Sequence, residues 1–539
     1  MGSVIGREFM YELIAGLDLM GEESLGMALR LLTASGIATS NGEIPNAVYA
    51  FSHALVQDAA YDSILKSRRK QLHADIARLL NERWPETRDA APELLAYHHT
   101  AAEQHSLATP LWLRAGEIAI QRFALSEGIT HLKTGMSTLT KFRPSKSRDL
   151  MELSLRTALG PALVAQRGWA HSEVREVLEP AWKRAQARKH LPAYLPILSS
   201  LAVHYMSAGA LKESLRRADE LLKAAAEAGD DSLEIVGHRS AVATHYWRGD
   251  FLAARRSGDR IHELYNAERH WRLALLTNSD PFTGEGIYRS QFLWILGYPD
   301  QAKAANEATE ANARRRDHPF DLAFALTLGA QLYAYLHEYD ALFRRSQEAE
   351  RIGKEHGITL LGEIMAEITR GVAWLGAAGH TADGAQQLGE AIELLRQTGH
   401  RIWIWYLRAL QAEGLARTGD LDKASALMEE SVARIEEGEE RAHHAEVLRL
   451  SGWLLIQKCE PKAAEARLRK AIDVARAQQA KSWELRAATT LARLLADRGD
   501  RDGAVAVLKP VHDWFTEGLH TKDYLDSSIL LGELSRWTS

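Results

Sequence analysis

The sequence predicts an all-α protein in which a small N-terminal module is followed by helical hairpins that repeat along most of the chain. Composition is the first indication, because 46% of the 539 residues are hydrophobic and only 14 are proline, a balance that favours helices. Periodicity is the second, because small and large apolar residues recur about every 40 residues through the second half of the chain. A fixed period of this length is typical of helical repeat proteins.

Charge and cysteine content exclude several classes of protein. The formal net charge of −5, from 66 basic and 71 acidic residues, lacks the basic excess of a general nucleic-acid or anionic-membrane binder. Cys459 is the single cysteine, which excludes an internal disulfide and a cysteine-based zinc site and fits a reducing cytoplasm. Leu191–Leu211 is uncharged and long enough to span a membrane, but Pro192 and Pro196 interrupt it. We therefore expect a cytoplasmic protein with no membrane partner.

Residues 1–85 have the pattern of a small winged-helix-like domain. Apolar residues at helical spacing predict helices at Glu8–Gly16 and Glu22–Ser35. The short apolar segments Ile37–Thr39 and Val48–Phe51 then flank Asn41-Gly42, a dipeptide that strongly indicates a β-hairpin. Two helices followed by a hairpin form the outline of a winged helix.

A winged helix raises the hypothesis of a DNA-binding regulator. Its recognition helix would be Glu22–Ser35, where Arg30 is the one basic residue and Glu22 and Glu23 are acidic. Reading the major groove requires Arg, Lys, Asn or Gln at base edges and further cations for phosphates. The sequence therefore favours a packing module and no nucleic-acid partner. A DNA-binding transcriptional regulator, with the repeats as its effector sensor, is kept as the alternative.

The repeat is clearest near the C-terminus. A tetratricopeptide unit has small residues at its eighth and twentieth positions and a large apolar residue at its eleventh, where two antiparallel helices pack. Units that begin at Ala366, Trp405, Ala445 and Leu485 are separated by 39, 40 and 40 residues, and weaker matches begin near Leu322, Thr283, Glu234 and Leu195. We predict tetratricopeptide-like repeats of about 40 residues over 191–539, with helical hairpins over 86–190 leading into them.

Turn signals support the same division into helix pairs. Glycine follows the first helix of a pair at Gly209, Gly249, Gly297, Gly379, Gly419 and Gly499. Glycine favours the left-handed conformation that ends a helix, and an aspartate after it favours the start of the next helix. Thr277–Glu285 is predicted to be a loop between two pairs.

One segment of the N-terminal region resembles a known family. The run Phe51 to Tyr61 (FSHALVQDAAY), followed by Ser67-Arg68-Arg69 and Leu72-His73, is similar to the region after the nucleotide-binding core of bacterial STAND or AAA-type signalling ATPases. Several of these proteins combine an adenylate cyclase, an ATPase and a tetratricopeptide array. The matching residues are Phe51, His53, Gln57, Asp58, Tyr61, Arg68 and Arg69.

The chain departs from this family in its catalytic parts. It has no G-x-x-x-x-G-K-[S/T] phosphate loop and no cyclase-like stretch. The resemblance therefore implies the C-terminal sensor half, with winged-helix and repeat regions but without the ATPase and cyclase domains. Its partners would be proteins, among them a chain that bears an ATPase or a cyclase.

The sequence predicts no catalytic residues, no cofactor and no metal. His98, His99 and His105 are close together but lack H-E-x-x-H spacing. A G-x-S-x-G nucleophile motif is absent as well. His53 is expected to form a hydrogen bond that fixes the junction between the hairpin and the next helix.

The function predicted from the sequence is non-catalytic protein–protein interaction and regulation, as a sensor or scaffold within a signalling ATPase or adenylate cyclase system. Stacked hairpins leave a curved inner surface that is lined mainly by the first helix of each pair. Candidate groove residues on these helices are Tyr246, Tyr333, Trp405, Arg408 and Trp483. The resemblance implies that occupancy of this groove is relayed through the winged-helix region to the ATPase or cyclase.

Overall fold

Helices dominate the computed structural model, which describes residues 1–17, 20–277, 279–316 and 318–535. The all-α, tetratricopeptide-like prediction is confirmed. The chain divides into unit 1, Met1–Ala162, and unit 2, from Leu163 onward, with the division inside the helix Lys146–Arg167. The predicted domain bounds at residues 85 and 190 remain predictions.

Unit 1 begins with short helices around a small antiparallel sheet. Its strands are β1 (Glu8–Met10), β2 (Ala38–Asn41) and β3 (Val48–Phe51), in the order β1-β3-β2. The predicted hairpin is confirmed, because Ala38 pairs with Phe51 and Asn41 with Val48. Its connection covers residues 42–47 and is longer than the two-residue Asn-Gly turn. Helices lie at Gly2–Ile5, Tyr11–Gly16, Glu22–Ala34, Ala54–Asp62 and Lys66–Arg83.

The prediction of a helix at Glu8–Gly16 is wrong for residues 8–10, which form the strand β1. Glu8 pairs with Ala50 and Met10 with Val48, so the helix begins only at Tyr11. Phe9 is buried, and its ring lies 5.7 Å from Tyr49 and 5.8 Å from Phe51. Tertiary packing against β3 therefore overrides a local pattern that suits either a helix or a strand.

The remainder of unit 1 is helical. Its later helices are Thr87–Ala90, Pro92–Ala101, His105–Gln121, Leu125–Leu139 and Lys146–Arg167. The pair His105–Gln121 and Leu125–Leu139 packs closely at Gly116 and Gly128, where an added Cβ would meet the backbone oxygen of the opposite glycine at 3.2 and 3.1 Å. The prediction of helices after residue 86 is confirmed by these elements.

Eight hairpins follow one another in the described part of unit 2, and each agrees with a predicted unit. In order, hairpins 1 to 8 are Tyr194–Ser207 with Leu211–Ala228, Asp231–Trp247 with Phe251–Leu264, Pro281–Leu296 with Pro299–Arg316, Pro319–Tyr335 with Tyr339–His356, Thr359–Gly376 with Thr381–Gln397, Ile404–Arg417 with Leu421–Glu437, His444–Gln457 with Pro461–Ala477, and Lys481–Asp497 with Arg501–His512. The first helices of hairpins 4 and 5 contain the π-helical turns Ala325–Gly329 and Thr359–Met365.

Further helices flank the hairpins of unit 2. Ser172–Arg188 precedes hairpin 1, and Lys522–Ser535 follows hairpin 8. Short helical turns at Leu191–Ala193, Ala267–His270, Trp271–Leu273 and Ala274–Thr277 lie before hairpins 1 and 3.

The predicted turn glycines adopt the left-handed conformation, with φ between 76° and 98° at Gly209, Gly249, Gly297, Gly379, Gly419 and Gly499. Asp420 and Asp500 accept hydrogen bonds from the next helix, as expected of N-caps, but Asp250 does not. Hairpins 4 and 7 make the same turn without glycine, at His337 and Cys459, each with φ of 60°.

The predicted loop Thr277–Glu285 is wrong at both ends, because Thr277 ends the helical turn Ala274–Thr277 and a helix begins at Pro281. Asn278, within this loop, lies outside the described residues. Asp280 caps the helix Pro281–Leu296 by accepting the Phe282 amide. Proline suits the first helical position because that position needs no hydrogen-bond donor.

Hairpins five apart along the chain meet in unit 2. The backbone amides of Arg401 and Arg441 donate to the carbonyls of Ser207 and Trp247, both at 2.8 Å, and the Ser482 hydroxyl donates to the carbonyl of Trp294 at 2.5 Å. The first helices of hairpins 6, 7 and 8 therefore begin where those of hairpins 1, 2 and 3 end. This stacking closes the inner surface over much of its length. In the described ranges, no helix combines the length and the apolar character needed to cross a bilayer.

Candidate functional site

Three of the predicted groove residues lie in the interior of unit 2. Tyr246 and Trp483 are 0% exposed and Tyr333 is 3% exposed. The Tyr246 hydroxyl donates to Gln291 at 2.7 Å, and Tyr335 lies 2.7 Å from Nε2 of His443. Tyr246 and Trp483 both contact Tyr335 in this interior. Tyr333 instead contacts Arg345, on the second helix of hairpin 4, which donates to its hydroxyl at 2.9 Å. Because hairpins five apart meet at Tyr246 and Trp483, these two side chains fill the interior and leave no open groove at their positions.

The other two predicted groove residues are half-buried and face second helices. The guanidinium of Arg434 lies 5.9 Å from the ring of Trp405. Arg408 pairs with Glu393 and donates to Gln411 at 2.8 Å. Neither residue lines the open part of the inner surface.

The open part is a cleft of about 400 Å³ between the first helices of hairpins 6, 7 and 8 and the helix Lys522–Ser535. We call it the first-helix cleft. Its lining is rich in charge and includes Glu413, Arg417, Arg449, Trp453, Gln457, Arg486, Thr490, Arg493, Asp497, Asp523 and Asp526. Arginine guanidinium groups are suited to bidentate recognition of carboxylates. The cleft is therefore the best candidate binding site in the described residues.

A buried ion network forms the floor of the cleft. Arg486 binds Asp523 through Nε at 2.9 Å and through a terminal nitrogen at 2.8 Å, and it lies 3.4 Å from Glu446. Glu446 also accepts two bonds from Arg449, at 2.8 and 2.9 Å. Burial disfavours the charged carboxylate of Asp523, but the attraction of Arg486 outweighs it and holds the pKa well below its usual range. The positive and negative charges of the floor therefore neutralise one another.

The rim of the cleft is more accessible. Arg417 is exposed and bonded to Glu413 at 2.7 Å. Arg493 is exposed and forms no ion pair with any described residue. Trp453 lies between them on hairpin 7 and is half-buried. A half-buried aromatic ring flanked by guanidinium groups suits a peptide with an apolar side chain and nearby carboxylates.

Sequence reasoning missed the residues of this cleft, although a signal was present. In the units that begin at Trp405, Ala445 and Leu485, the ninth and thirteenth positions are Glu413 and Arg417, Trp453 and Gln457, and Arg493 and Asp497. These positions are four residues apart and share one face of each first helix. Polar or aromatic residues at two equivalent positions in three consecutive units indicate a surface that does not pack against its neighbours.

The family-like motif spreads over three elements of unit 1. Phe51 ends β3 and is buried, while His53, Asp58 and Arg68 are exposed. Gln57 donates to the carbonyl of Ser3 at 3.3 Å. The expected hydrogen bond from the His53 side chain is wrong for the described residues, because the junction is fixed instead by its backbone carbonyl, which accepts the Val56 and Gln57 amides.

Tyr61 and Arg69 of the motif belong to a polar cluster. The guanidinium of Arg69 lies 4.7 Å from the Tyr61 ring and 3.0 Å from Asp62. The Tyr61 hydroxyl is 3.0 Å from Nε2 of His73, whose Nδ1 is 2.9 Å from Nδ1 of His98. His73 and His98 are buried. The cluster links the helices Ala54–Asp62, Lys66–Arg83 and Pro92–Ala101.

We expect His73 and His98 to be neutral at pH 7 and to destabilise the fold as the pH falls. Burial, with Arg69 adding to it, lowers the pKa of His73 to about 4, and burial next to His73 lowers the pKa of His98 to about 3. An unfolded imidazole titrates near pH 6.5. The unfolded chain therefore takes up protons first, and stability present above pH 6.5 is lost between about pH 6.5 and 4.

Histidine ring signals of selectively labelled protein test this expectation. The ring signals of His73 and His98 are assigned by their loss in His73→Gln and His98→Gln. Neither signal should shift between pH 7.5 and 5. A titration of either signal near pH 6.5 would contradict it.

No group of three or more His, Cys, Asp or Glu that could hold a metal ion occurs among the described residues. His98, His99 and His105, weighed as a metal site from the sequence, have other surroundings. His98 faces His73, and His99 lies 2.7 Å from Gln104.

Comparison with curated sequences gives one relative and no family. No family model matches the chain. An uncharacterised protein of Rhizobium meliloti (strain 1021) is 24% identical over 494 residues, which cover 88% of this chain and 46% of the relative. The chain thus spans about half the length of the curated relative that it matches.

Three solved structures with a similar arrangement of helices are distant in sequence. A Rap protein complexed with competence and sporulation factor is 12% identical, with a TM-score of 0.42 over 64% of this chain and 96% of that one. A signal-transduction ATPase with numerous domains and a tetratricopeptide-repeat sensor, from Pyrococcus horikoshii, is 12% identical, with a TM-score of 0.38 over 81% and 62%. Yeast Tom70 is also 12% identical, with a TM-score of 0.33 over 88% and 97%.

Proposed function

We propose that this chain is a non-catalytic interaction module of the cytoplasm, and that its first-helix cleft binds an acidic segment of a partner protein. The observation that carries the proposal is the exposed, unpaired Arg493 beside the half-buried Trp453, above a floor whose charges are already neutralised. A ligand carboxylate that approaches Arg493 displaces no internal partner. The aromatic ring beside it offers apolar contact at the same time.

The partner we propose is a chain that bears a signalling ATPase or an adenylate cyclase. The resemblance of residues 51–73 to the segment after the ATPase core of such proteins supports this choice. The exposed face of the helix Glu22–Ala34 supports it too, because Met27 and Leu31 are 63% and 70% exposed. These residues are four apart and share one helix face. In the proposal this apolar face contacts the ATPase and relays occupancy of the cleft.

The alternative, a DNA-binding regulator, gains no support from the same helix. Its exposed positions include Glu22, Glu23, Met27 and Leu31, with Arg30 as the one cation. Acidic and apolar side chains do not suit phosphate contacts or base edges.

An affinity capture from the native cell extract with matched baits tests the proposal. The wild-type chain should recover an ATPase- or cyclase-bearing protein. Arg493→Glu combined with Trp453→Ala should recover about 10- to 100-fold less, because a charge-assisted contact and an aromatic anchor are lost. Arg344→Glu, at an exposed arginine on the second helix of hairpin 4, should recover as much as wild type.

A photo-crosslinking residue locates the contact. Placed at Gln457 in the cleft it should crosslink the same partner, and placed at Glu429 on the second helix of hairpin 6 it should not. Equal recovery with all baits, or capture of DNA alone, would overturn the proposal.

A further inference from the structure

A separate cavity lies inside unit 2, away from the first-helix cleft. It has a volume of about 40 Å³ and lies between the first helices of hairpins 1 to 4. A volume above roughly 15 Å³ can hold a water molecule, so this cavity has room for more than one. Most of its lining is apolar or aromatic: Val164, Trp169, Ala202, Val203, Met206, Ala243, Tyr288, Phe320 and Phe324. Ser199, Ser200, Ser214, Ser240 and Thr277 add hydroxyl groups.

One cation, Arg239, lines this cavity, and its charge is not neutralised by contact. Its Nε atom is buried without a hydrogen-bond partner, and the guanidinium forms no ion pair with any described residue. Burial lowers the pKa of Arg239, but an arginine stays protonated in proteins. The residue as a whole is half-buried, and a charge withdrawn from water without a partner is costly. The cavity therefore contains an unsatisfied positive charge.

The nearest carboxylates are engaged elsewhere. Asp280 accepts from the Tyr265 hydroxyl at 2.7 Å and from Asn312 at 2.6 Å. Asp321 accepts from the Asp280 amide at 3.0 Å, and burial raises the pKa of Asp321 to about 7. Both attract Arg239 electrostatically, but neither is within ion-pair distance of it. These acids favour the charged form of Arg239, but they accept none of its hydrogen bonds in the described structure.

Gly284 makes room for the guanidinium. A Cβ atom at this position of hairpin 3 would collide with Nε of Arg239 and lie 3.1 Å from its Cζ. Glycine inside a helix costs about 0.5–1 kcal/mol relative to alanine. Its presence here leaves space for a guanidinium that forms no ion pair with any described residue.

We propose that this cavity is a binding site for a short-chain carboxylate of about the size of acetate or propionate. The ligand carboxylate would accept bonds from Arg239 and from the Ser200 hydroxyl, which forms no hydrogen bond to any described residue. Its alkyl end would contact the aromatic and apolar wall. The small volume favours short acids, and the apolar wall disfavours divalent anions. This inference goes beyond the proposed function, since the cavity and the first-helix cleft share no residue.

Thermal unfolding of the full chain in sodium propionate tests this site. The midpoint should rise by about 2–4 °C at saturating propionate compared with sodium chloride of equal ionic strength. Saturation transfer from the protein to the propionate methyl protons should accompany the rise. In Arg239→Met both effects should vanish, and this variant should fold, because an apolar residue of similar volume can replace a buried charge. Arg344→Met is the matched control and should respond like wild type.

Several outcomes would overturn the carboxylate site. An equal rise in chloride would show that any monoanion is sufficient. A propionate response that persists in Arg239→Met would place the ligand elsewhere. The absence of a shift and of saturation transfer would show that the cavity binds no carboxylate. These results do not affect the capture experiment with the cleft variants. The carboxylate site and the proposed function can therefore be refuted independently of each other.

Discussion

Replacing Arg486 by methionine is expected to destabilise the protein by about 3–5 kcal/mol, the usual cost of breaking a buried ion pair by removing one partner. Arg486 is the cation between two carboxylates of low exposure, Asp523 and Glu446. Glu446 keeps Arg449 in the variant, but among the described residues Asp523 keeps only His337, at 3.2 Å. An uncompensated charge then remains in the floor of the cleft.

Arg486 also connects distant parts of unit 2. Its guanidinium lies 4.8 Å from the ring of Trp294 and 5.2 Å from that of Trp483, and it donates to the carbonyl of Tyr335 at 2.5 Å. Hairpins 3, 4 and 8 and the helix Lys522–Ser535 therefore share this one side chain. Its loss should lower the midpoint of thermal unfolding of the whole chain.

A second variant separates the charge from the packing. Combining Arg486→Met with Asp523→Leu removes both members of the pair and should recover part of the lost stability, since no buried charge is left alone. Arg469→Met, at an exposed arginine paired with Glu465, is the control and should change stability by less than about 0.5 kcal/mol. A cost below about 1 kcal/mol for Arg486→Met would contradict the assigned role of the network.

The hairpins of unit 2 could be predicted from sequence because their signals are local. Gly419 and Gly499 lie where the first helix must end in a left-handed residue, and small residues such as Ala424 and Ala464 lie where two helices touch. Each signal depends on residues within one unit. The same logic explains why Cys459, at the equivalent position, was not recognised as a left-handed turn: its side chain gives no sign of that conformation.

The closure of the inner surface could not be predicted in this way. Contact between Trp247 and Arg441, or between Trp294 and Ser482, depends on small rotations between successive hairpins that accumulate over five of them. The sequence of a single unit does not determine this accumulated rotation. Tyr246 and Trp483, predicted to line an open groove, are therefore fully buried in a filled interior.

The candidate cleft was missed for a different reason. Arg417, Trp453 and Arg493 occupy equivalent positions of their units, but they differ in chemistry. The aromatic pair Trp403 and Trp405 is a more conspicuous sequence feature, but Trp403 is buried and the ring of Trp405 lies 5.9 Å from Arg434. Comparing equivalent positions of successive units, and selecting those that hold polar or aromatic residues, would have found the cleft. In unit 1, β1 was missed because three residues are too few to show a period of two.

The close approach of two backbones in unit 2 leads to the second large expected effect. Gly353, in the second helix of hairpin 4, meets Gly362, in the π-helical turn that opens hairpin 5. A Cβ at Gly362 would overlap the Cα of Gly353 and lie 2.7 Å from its nitrogen, and a Cβ at Gly353 would lie 2.8 Å from the carbonyl carbon of Gly362. The atoms in the way belong to backbone, so no change of rotamer relieves the overlap.

Gly362→Ala should therefore cost about 3 kcal/mol or more, because the two helices must separate and the buried contacts beside them, such as Ile352 and Leu361, must loosen. Gly532→Ala is the matched control. Gly532 lies in the helix Lys522–Ser535, where no atom of the described residues is within 4 Å of an added Cβ, and alanine there should stabilise by up to about 1 kcal/mol. Thermal unfolding of both variants, with hydrogen exchange over residues 345–370, measures the difference. If Gly362→Ala unfolds like wild type, the two backbones do not touch in solution, and hairpins 4 and 5 are held together by their side chains instead.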